Sequence, residues 1–335
     1  MGPVLKRLLR LIPSYRLLEE RKQQLILERD ALRGQLVAVR EKLQAEIDVH
    51  VTERALMKEW EPFYAPGHYY SPLPSQAEIA EAFSRGGFGP PFPAVDLNEA
   101  AQFARLERFA AYYREQPFPP EPAPRRRFHL NNPGYGAFDA IMLYGMLREA
   151  RPRRIIEIGS GFSSAAMLDL NELVLGGAVE FTFIDPEMKR LRELLREGDA
   201  VRAILIEQRI QDVPLKAFAA LGENDVLFID SSHVSKIGSD VNRIFFDILP
   251  SLAPGVLIHF HDITGTLEYP RDWFDQGRAW NEQYLLRSFL MYNPAFRVEL
   301  FTSWLRLSRE AFLRERMPLC SHGGGGQIWL RKVAG

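Results

Sequence analysis

The sequence predicts an α/β protein whose sheet is doubly wound and mostly parallel, with seven strands. From residue 131 onward, short apolar strands alternate with helices, which is typical of parallel strands joined by crossover helices. The first strand runs into a glycine turn at Gly159 and Gly161. Two more strands, near 296–304 and 327–333, have no full crossover helix between them. We therefore expect them to pair antiparallel at one edge of the sheet.

The elements of this regular region follow from short apolar runs for the strands and one-sided apolar spacing for the helices. Strands are expected at 154–158, 179–184, 203–206 and 226–229, and from 256. Helices are expected at 137–149, 163–175, 187–196, 213–221 and 241–252. Together these make residues 131–335 one domain.

The chain before residue 131 divides into two segments of different character. Residues 1–60 are mostly polar and helical, and Leu18, Leu25, Leu32 and Val39 recur every seven residues. That spacing predicts an imperfect coiled coil, which acts in a homo-oligomer or as a tether. Residues 61–130 are rich in proline and aromatics and predict an irregular cap that contains a helix over 97–114.

Composition excludes several classes of protein. The 42 basic and 43 acidic side chains leave a net charge of −1, which argues against nucleic-acid binding. Cys320 is the only cysteine, so there is no disulfide framework or thiolate metal cluster, and a cytoplasmic location fits. No apolar run is long enough for a transmembrane segment. Residues 1–16 mix basic side chains with leucines and suit either a membrane surface or packing on protein.

Aspartates and histidines, which can bind ligands or transfer protons, lie at the ends of three of the predicted strands. Asp185 follows the second strand, and Asp230 follows the fourth, with His233 three residues later. His261 and Asp262 end the fifth strand, whereas His259 lies inside it and is expected to be buried and hydrogen-bonded. Ligands of open α/β sheets bind at the carboxyl ends of the strands, so this edge is the predicted site.

The glycine turn alone suits either NAD or S-adenosylmethionine. The third glycine of a dinucleotide fingerprint would fall at Ser164, so that fingerprint is incomplete. Asp185 stands where an acid hydrogen-bonds ribose hydroxyls, and both cofactors contain ribose.

The order of these motifs resembles that of class I S-adenosylmethionine-dependent methyltransferases, a Rossmann-like fold, over residues 131–333. Three motifs are similar to those of a bacterial group of methyltransferases classed as methyltransferase domain 24: Asp-Ser-Ser-His-Val-Ser-Lys at 230–236, His-Phe-His-Asp-Ile at 259–263 and Arg-Ala-Trp-Asn-Glu at 278–282. The resemblance implies that S-adenosylmethionine contacts the glycine turn, the second strand end, a Gln-Asp pair beside the adenine, and the fourth strand end. The corresponding residues are Glu157, Gly159, Ser160, Gly161, Asp185, Gln211, Asp212 and Asp230, with Asn132, Tyr135 and Asp139 closing over the cofactor.

The same resemblance implies O-methylation of a hydroxyl group of a small molecule or of a sugar or glycan. A hydroxyl acceptor must lose its proton, and His233 is the candidate general base because its ordinary pKa lies near neutrality. Asp230, His261 and Asp262 are the candidate ligands of Mg²⁺ or another divalent cation. Catechol O-methyltransferase has Asp-Asn where this chain has His261-Asp262.

Two alternatives stay open. The first is an NAD-dependent oxidoreductase, against which the incomplete fingerprint argues. The second is a methyltransferase fold that has lost catalysis and serves as a scaffold through its coiled coil.

Overall fold

The computed structural model describes residues 13–59, 64–321 and 325–334. The chain forms two compact units, Met1–Gln76 and Ala77–Gly335. The predicted segment boundaries near residues 60 and 130 stay predictions. The predicted membrane-contacting segment lies largely outside the described residues, which begin at Pro13.

The first unit consists mainly of one helix, α1 (Pro13–Glu59), which is 47 residues long. Its mean hydropathy is low, because charged and amide side chains occupy 22 of its 47 positions. Leu18, Leu25, Leu32 and Val39 are each exposed over half or more of their surface. Within the described residues of the first unit this stripe has no partner helix, and the pairing of the predicted coiled coil stays a prediction.

The second unit is built on a single sheet. Its strands are β1 (Arg154–Ile158), β2 (Glu180–Ile184), β3 (Ala203–Ile206), β4 (Val226–Ile229), β5 (Leu257–His261), β6 (Phe296–Phe301) and β7 (Gln327–Lys332). Their order across the sheet is β3-β2-β1-β4-β5-β7-β6. The first five strands pair in parallel, and β7 runs antiparallel to both β5 and β6. The predicted doubly wound, mostly parallel seven-stranded sheet is confirmed.

Helices cover both faces of this sheet, as parallel strands require. The α-helices after α1 are α2 (Gln76–Arg85), α3 (Glu99–Tyr112), α4 (Ala137–Ala150), α5 (Phe162–Leu173), α6 (Lys189–Leu194), α7 (Asp199–Arg202), α8 (Asp240–Arg243), α9 (Leu249–Ser251), α10 (Arg271–Asp275), α11 (Glu282–Leu290), α12 (Thr302–Ser308) and α13 (Glu310–Arg316). A π-helical stretch, Ile244–Ile248, joins α8 to α9. All residues of β4 and β5 are buried, and β4 is entirely apolar, whereas β5 includes His259 and His261 among its apolar residues.

Two predicted helices are shorter or tighter than expected. The helix expected at 187–196 is only α6, because side-chain turns close both of its ends: Asp185 Oδ1 accepts from the Glu187 amide (2.7 Å) and Asp199 Oδ2 from the Arg196 amide (2.7 Å). The helix expected at 213–221 is a 3₁₀ helix, Leu215–Ala220.

The segment just before β1 belongs to the second unit and packs into its core. Leu106 and Phe109 of α3 are buried. Gly145 of α4 makes room for this contact, since a Cβ there would lie 2.6 Å from the Phe109 ring. Arg127 is also buried, and its guanidinium binds Asp169 of α5 (2.8 Å) and Asp199 of α7 (2.6 Å). Of the helices within the described ranges, none has the length and apolarity needed to cross a membrane.

Candidate active site

The turn between β1 and α5 requires glycine at its first position. Gly159 has a φ of +82°, in the region that side chains disfavour. A Cβ at Gly159 would also lie 1.8 Å from the Asp230 carbonyl oxygen. The next amide, that of Ser160, donates to Asp185 Oδ2 at 2.8 Å. The turn is therefore held against the ends of both β2 and β4.

Glu157 lies beneath this turn and is fully buried. Ser163 Oγ donates to its Oε1 at 2.5 Å, and Ser164 Oγ donates to Oε2. Burial raises the pKa of Glu157 to about 8, although these two hydrogen bonds act in the opposite direction. Because both oxygens bind the start of α5, Glu157 shapes the turn rather than lining the cleft above it.

A cleft of about 500 Å³ opens above the carboxyl ends of β1, β2 and β4. This volume lies within the roughly 300–1,000 Å³ of ordinary ligand sites. Its walls include Gly159, Asp185, Asp230 and Gln211. Gln211 Nε2 donates to the Gly238 carbonyl at 2.9 Å, and this hydrogen bond orients the Gln211 amide in the wall of the cleft. Asp212, expected beside Gln211, is instead on the surface, where it pairs with Arg209 (3.0 Å).

A second, more polar cleft of about 240 Å³ shares Gly159, Asp185 and Asp230 with the first. Ser160 and Ser231 also line it, and within the described chain the hydroxyl oxygens of both are buried without a hydrogen-bond partner. Unpaired buried polar atoms are costly and usually mark a ligand or bound water. The residues present therefore fit a polar cofactor lying across the glycine turn.

The ends of β4 and β5 bring two carboxylates between two imidazoles. His233 Nε2 lies 3.4 Å from Asp230 Oδ1 and 3.6 Å from Asp262 Oδ2. His261 Nδ1 lies on the other side, 3.6 Å from Asp230 Oδ1 and 3.5 Å from Asp262 Oδ1. His233 and Asp262 both have positive φ angles, 59° and 55°. Such backbone strain is found mainly at functional sites.

Electrostatics in this cluster favour charged groups. Burial would raise the pKa of Asp230, but His261 and His233 outweigh it and hold that pKa far below its usual range. Burial also lowers the pKa of His233, yet its bonds to Asp230 and Glu282 prevail and raise it to about 10. The pKa of His261 is raised as well, because Asp230 and Asp262 outweigh its burial. The neighbouring carboxylates therefore favour the protonated form of both imidazoles.

The two aspartates with His233 form a set of donors that a divalent ion can share. Their ligand atoms lie within 4.8 Å of one another. The sequence predicts His261 as the third ligand, and that ring contacts the same two carboxylates at similar distances. Two carboxylates with an imidazole fit Mg²⁺ or Mn²⁺. The structure thus brings together all four predicted residues and leaves either imidazole beside the carboxylates.

The structure also places His259 and the three residues expected to close over the cofactor. His259 is buried and stacks on Phe228 with ring centroids 3.6 Å apart, but within the described residues its ring nitrogens have no hydrogen-bond partner. Asn132 holds a turn, because its Oδ1 accepts from the Gly134 and Tyr135 amides. Tyr135 itself lines the polar cleft, and Asp139 lies 3.6 Å from His261 Nε2.

Sequence reasoning missed Glu282. This residue opens α11, where an acid is expected simply because it favours a helix start. Instead its side chain is buried, and its Oε2 lies 2.8 Å from His233 Nδ1. The only signal in the sequence is its place in the motif Arg278-Ala279-Trp280-Asn281-Glu282, which carries part of the family resemblance.

The strand order and the glycine turn are those of a class I methyltransferase domain. Residues 156–263 match the family model described as a methyltransferase domain. An uncharacterised protein of Archaeoglobus fulgidus is 33% identical over 168 residues, which are 48% of this chain and 75% of that relative. The chain belongs to this family of class I methyltransferases.

Solved structures that resemble the chain include two with bound cofactor or product. The O-methyltransferase TomG from Streptomyces achromogenes, in complex with SAM, is 17% identical and covers 69% of this chain and 90% of its own, with a TM-score of 0.38. The SAH-bound methyltransferase PaMTH1 of Podospora anserina is 18% identical and covers 78% and 98%, with a TM-score of 0.39. With identities below 25% and TM-scores below 0.5, these two structures add nothing to the family assignment.

Proposed function

We propose that the chain is an S-adenosylmethionine-dependent O-methyltransferase that acts on a hydroxyl group of a small molecule, sugar or glycan. The observation that carries the proposal is the cluster of Asp230, His233, His261 and Asp262 directly beside the glycine-turn cleft. A carboxylate–imidazole cluster is suited to removing a hydroxyl proton, and the adjoining cleft is suited to a cofactor.

When bound, S-adenosylmethionine supplies an electrophilic methyl group on a positively charged sulfur. We assign its methionine part to Gly159, Ser160 and Gly161, where the unpaired Ser160 hydroxyl accepts or donates a hydrogen bond. Asp185 takes the ribose, because each of its oxygens has a lone pair left after bonding a backbone amide. Gln211 borders the adenine. Glu157 supports the turn from below, and Asp212 has a lesser part because it lies outside the cleft.

Asp230, Asp262 and one imidazole would hold a divalent cation, and we keep His261 as that third ligand so that His233 serves as base. Such an ion, when bound, lowers the pKa of a hydroxyl beside it and offsets the charge of the two aspartates. In its neutral form, the His233 ring would accept the proton of the acceptor hydroxyl at Nε2.

A methyl-transfer assay tests this function. Wild-type protein with labelled S-adenosylmethionine and a panel of glycans and phenols should give a methyl ether, faster with Mg²⁺ than with a chelator. His233→Ala should lower kcat by roughly 10²- to 10⁴-fold, the range for loss of a general base. Calorimetry should give the same affinity of both proteins for S-adenosylhomocysteine. Binding of NAD without binding of S-adenosylhomocysteine would contradict the cofactor assignment.

We also propose that α1 pairs with α1 of a second copy in a parallel coiled coil. Leu18, Leu25 and Leu32 then occupy one seam position, with Glu28 and Arg33 flanking the seam. In a parallel pair, Glu28 of one copy faces Arg33 of the other across one heptad, so their charges are complementary. A cytoplasmic location stays a prediction from the cysteine content, and membrane contact by residues 1–16 stays a prediction from their charge pattern.

A further inference from the structure

Glu282 lies where a helix-opening acid normally faces water, but here it faces the proposed base. It is the first residue of α11, and only 1% of its surface is exposed. Its Oε2 lies 2.8 Å from His233 Nδ1, a good hydrogen-bond distance. Burial of a carboxylate costs free energy unless the group is paired. The buried position of Glu282 therefore needs an explanation, and its contact with His233 supplies the pairing.

We propose that Glu282 is a positioning residue for His233: it binds the ring at Nδ1 and so directs Nε2 towards Asp230, Asp262 and the acceptor hydroxyl. This inference rests on the proposed function, in which His233 is the base. The hydrogen bond at one ring nitrogen decides which nitrogen exchanges the proton. The arrangement of nucleophile, imidazole and carboxylate follows the logic of a catalytic triad, with an acceptor hydroxyl in place of an enzyme nucleophile.

The backbone holds Glu282 to the loop that carries the imidazole. The amides of Asn281 and Glu282 both donate to the His233 carbonyl, each at 3.1 Å. The Asn281 side chain accepts from the Ser235 amide (2.6 Å) and donates to the Ser235 carbonyl (3.2 Å). Four hydrogen bonds therefore join the start of α11 to residues 233–235. These bonds also help to hold His233 at its positive φ, a backbone conformation that costs free energy.

The ring of His233 is restrained on its face as well as at its edge. Trp280 packs over it with ring centroids 4.3 Å apart. The Arg278 guanidinium carbon in turn lies 4.9 Å from the Trp280 ring centroid and the same distance from that of Trp273. With Glu282 at Nδ1 and Trp280 on its face, the imidazole has little freedom to rotate.

This restraint leaves the opposite nitrogen available. The distances from His233 Nε2 to Asp230 Oδ1 (3.4 Å) and Asp262 Oδ2 (3.6 Å) are longer than those of well-formed hydrogen bonds. The Nδ1 contact, at 2.8 Å, is shorter than either. The ring is thus bound firmly at the nitrogen that faces Glu282 and loosely at the nitrogen that faces the reaction.

The test compares two variants of Glu282. Glu282→Gln keeps an oxygen that accepts from the Nδ1 proton, whereas Glu282→Leu removes every acceptor. In proton NMR of the full chain, a hydrogen-bonded Nδ1 proton gives a low-field resonance, which is assigned by its loss in His233→Asn. We expect this resonance in the wild type and Glu282→Gln and its loss in Glu282→Leu. Its persistence unchanged in Glu282→Leu would overturn the inference.

Kinetics supply a second, independent readout. With S-adenosylmethionine and whichever glycan or phenol the wild type methylates, kcat should fall roughly 10-fold in Glu282→Gln and roughly 100-fold in Glu282→Leu. KM for S-adenosylmethionine and the affinity for S-adenosylhomocysteine should stay unchanged. The matched control is Glu99→Leu at the exposed first residue of α3, which should behave as the wild type.

The outcomes separate this inference from the proposed function. If the wild type methylates no acceptor, the proposed function fails, and the NMR result alone decides whether Glu282 holds the ring. If Glu282→Leu does not fold, Glu282→Gln decides: lower kcat with unchanged cofactor affinity supports the inference, and wild-type kcat overturns it.

Discussion

At the scale of single residues, Glu157 connects the fold to the pH response of the protein. Its carboxyl group is buried under the glycine turn, with hydrogen bonds from Ser163 and Ser164. Burial raises its pKa to about 8 in the folded protein from an ordinary value of 4.5. Folding therefore favours the protonated form of this group between those two pH values.

The sign of the resulting effect on stability is definite. Between pH about 5 and 8 the unfolded chain releases the Glu157 proton while the folded chain keeps it, so this residue makes the fold less stable as pH rises. Glu157→Gln has no proton to lose at this position. Its free energy of unfolding should rise relative to the wild type by up to about 1.4 kcal/mol per pH unit in that range. Urea unfolding at several pH values measures this, and parallel curves would disprove it.

At the scale of elements, Arg127 joins the segment before β1 to two helices behind the sheet. Its guanidinium binds Asp169 (2.8 Å), Glu172 (2.7 Å) and Asp199 (2.6 Å), and its side chain is 1% exposed. Burial would raise the pKa of Asp199, but the hydrogen bonds from Arg127 lower it. A buried ion pair of this kind costs most when only one partner is removed.

Arg127→Met should therefore leave Asp169 and Asp199 buried without their cation and lower the free energy of unfolding by about 3–5 kcal/mol. The matched control is Arg125→Met, two residues earlier and exposed, which should change stability by less than about 0.5 kcal/mol. Chemical denaturation measures both variants. Equal effects of the two substitutions would mean that the buried network does not stabilise the fold.

For the molecule as a whole, the proposed role of α1 is to form a coiled coil, and that role depends on a second copy of the chain. Its stripe of leucines is exposed, and an isolated polar helix of 47 residues gains little stability from packing within its unit. Pairing with a second copy would bury the stripe and, by mass action, make the stability of the helix depend on protein concentration.

Replacing Leu25 and Leu32 together by glutamate should abolish self-association, because like charges would then face each other across the seam. Sedimentation velocity at micromolar concentrations should give a dimer for the wild type and a monomer for Leu25→Glu/Leu32→Glu. Leu27→Glu is the matched control, since Leu27 is also exposed but lies on the opposite side of the helix. A monomeric wild type, or an equal effect of Leu27→Glu, would contradict the coiled-coil proposal.

Much of the site could be anticipated because it follows the strands. Asp185, Asp230 and His261 lie at the carboxyl ends of β2, β4 and β5, and the carboxyl ends of parallel strands meet at one edge of a sheet. Glu282 could not be found in this way: it is 49 positions from His233, and at a helix start it looks like an ordinary solvated acid. Asp212 pairs with Arg209 on the surface, because a neighbour of a cleft residue need not face the cleft, and its contact with the adenine stays a prediction.

Local patterns in the sequence were enough to predict the alternation of strands and helices, the glycine turn and the order of the acidic and imidazole groups along the chain. These are local properties, since period, turn chemistry and burial pattern act over a few residues. Three facts are visible only in the tertiary structure. They are which imidazole faces which carboxylate, the contact of Glu282 with His233, and the support that Glu157 gives the turn from below. Those facts depend on distances and burial between remote segments, and the same distances set the charges that the site carries.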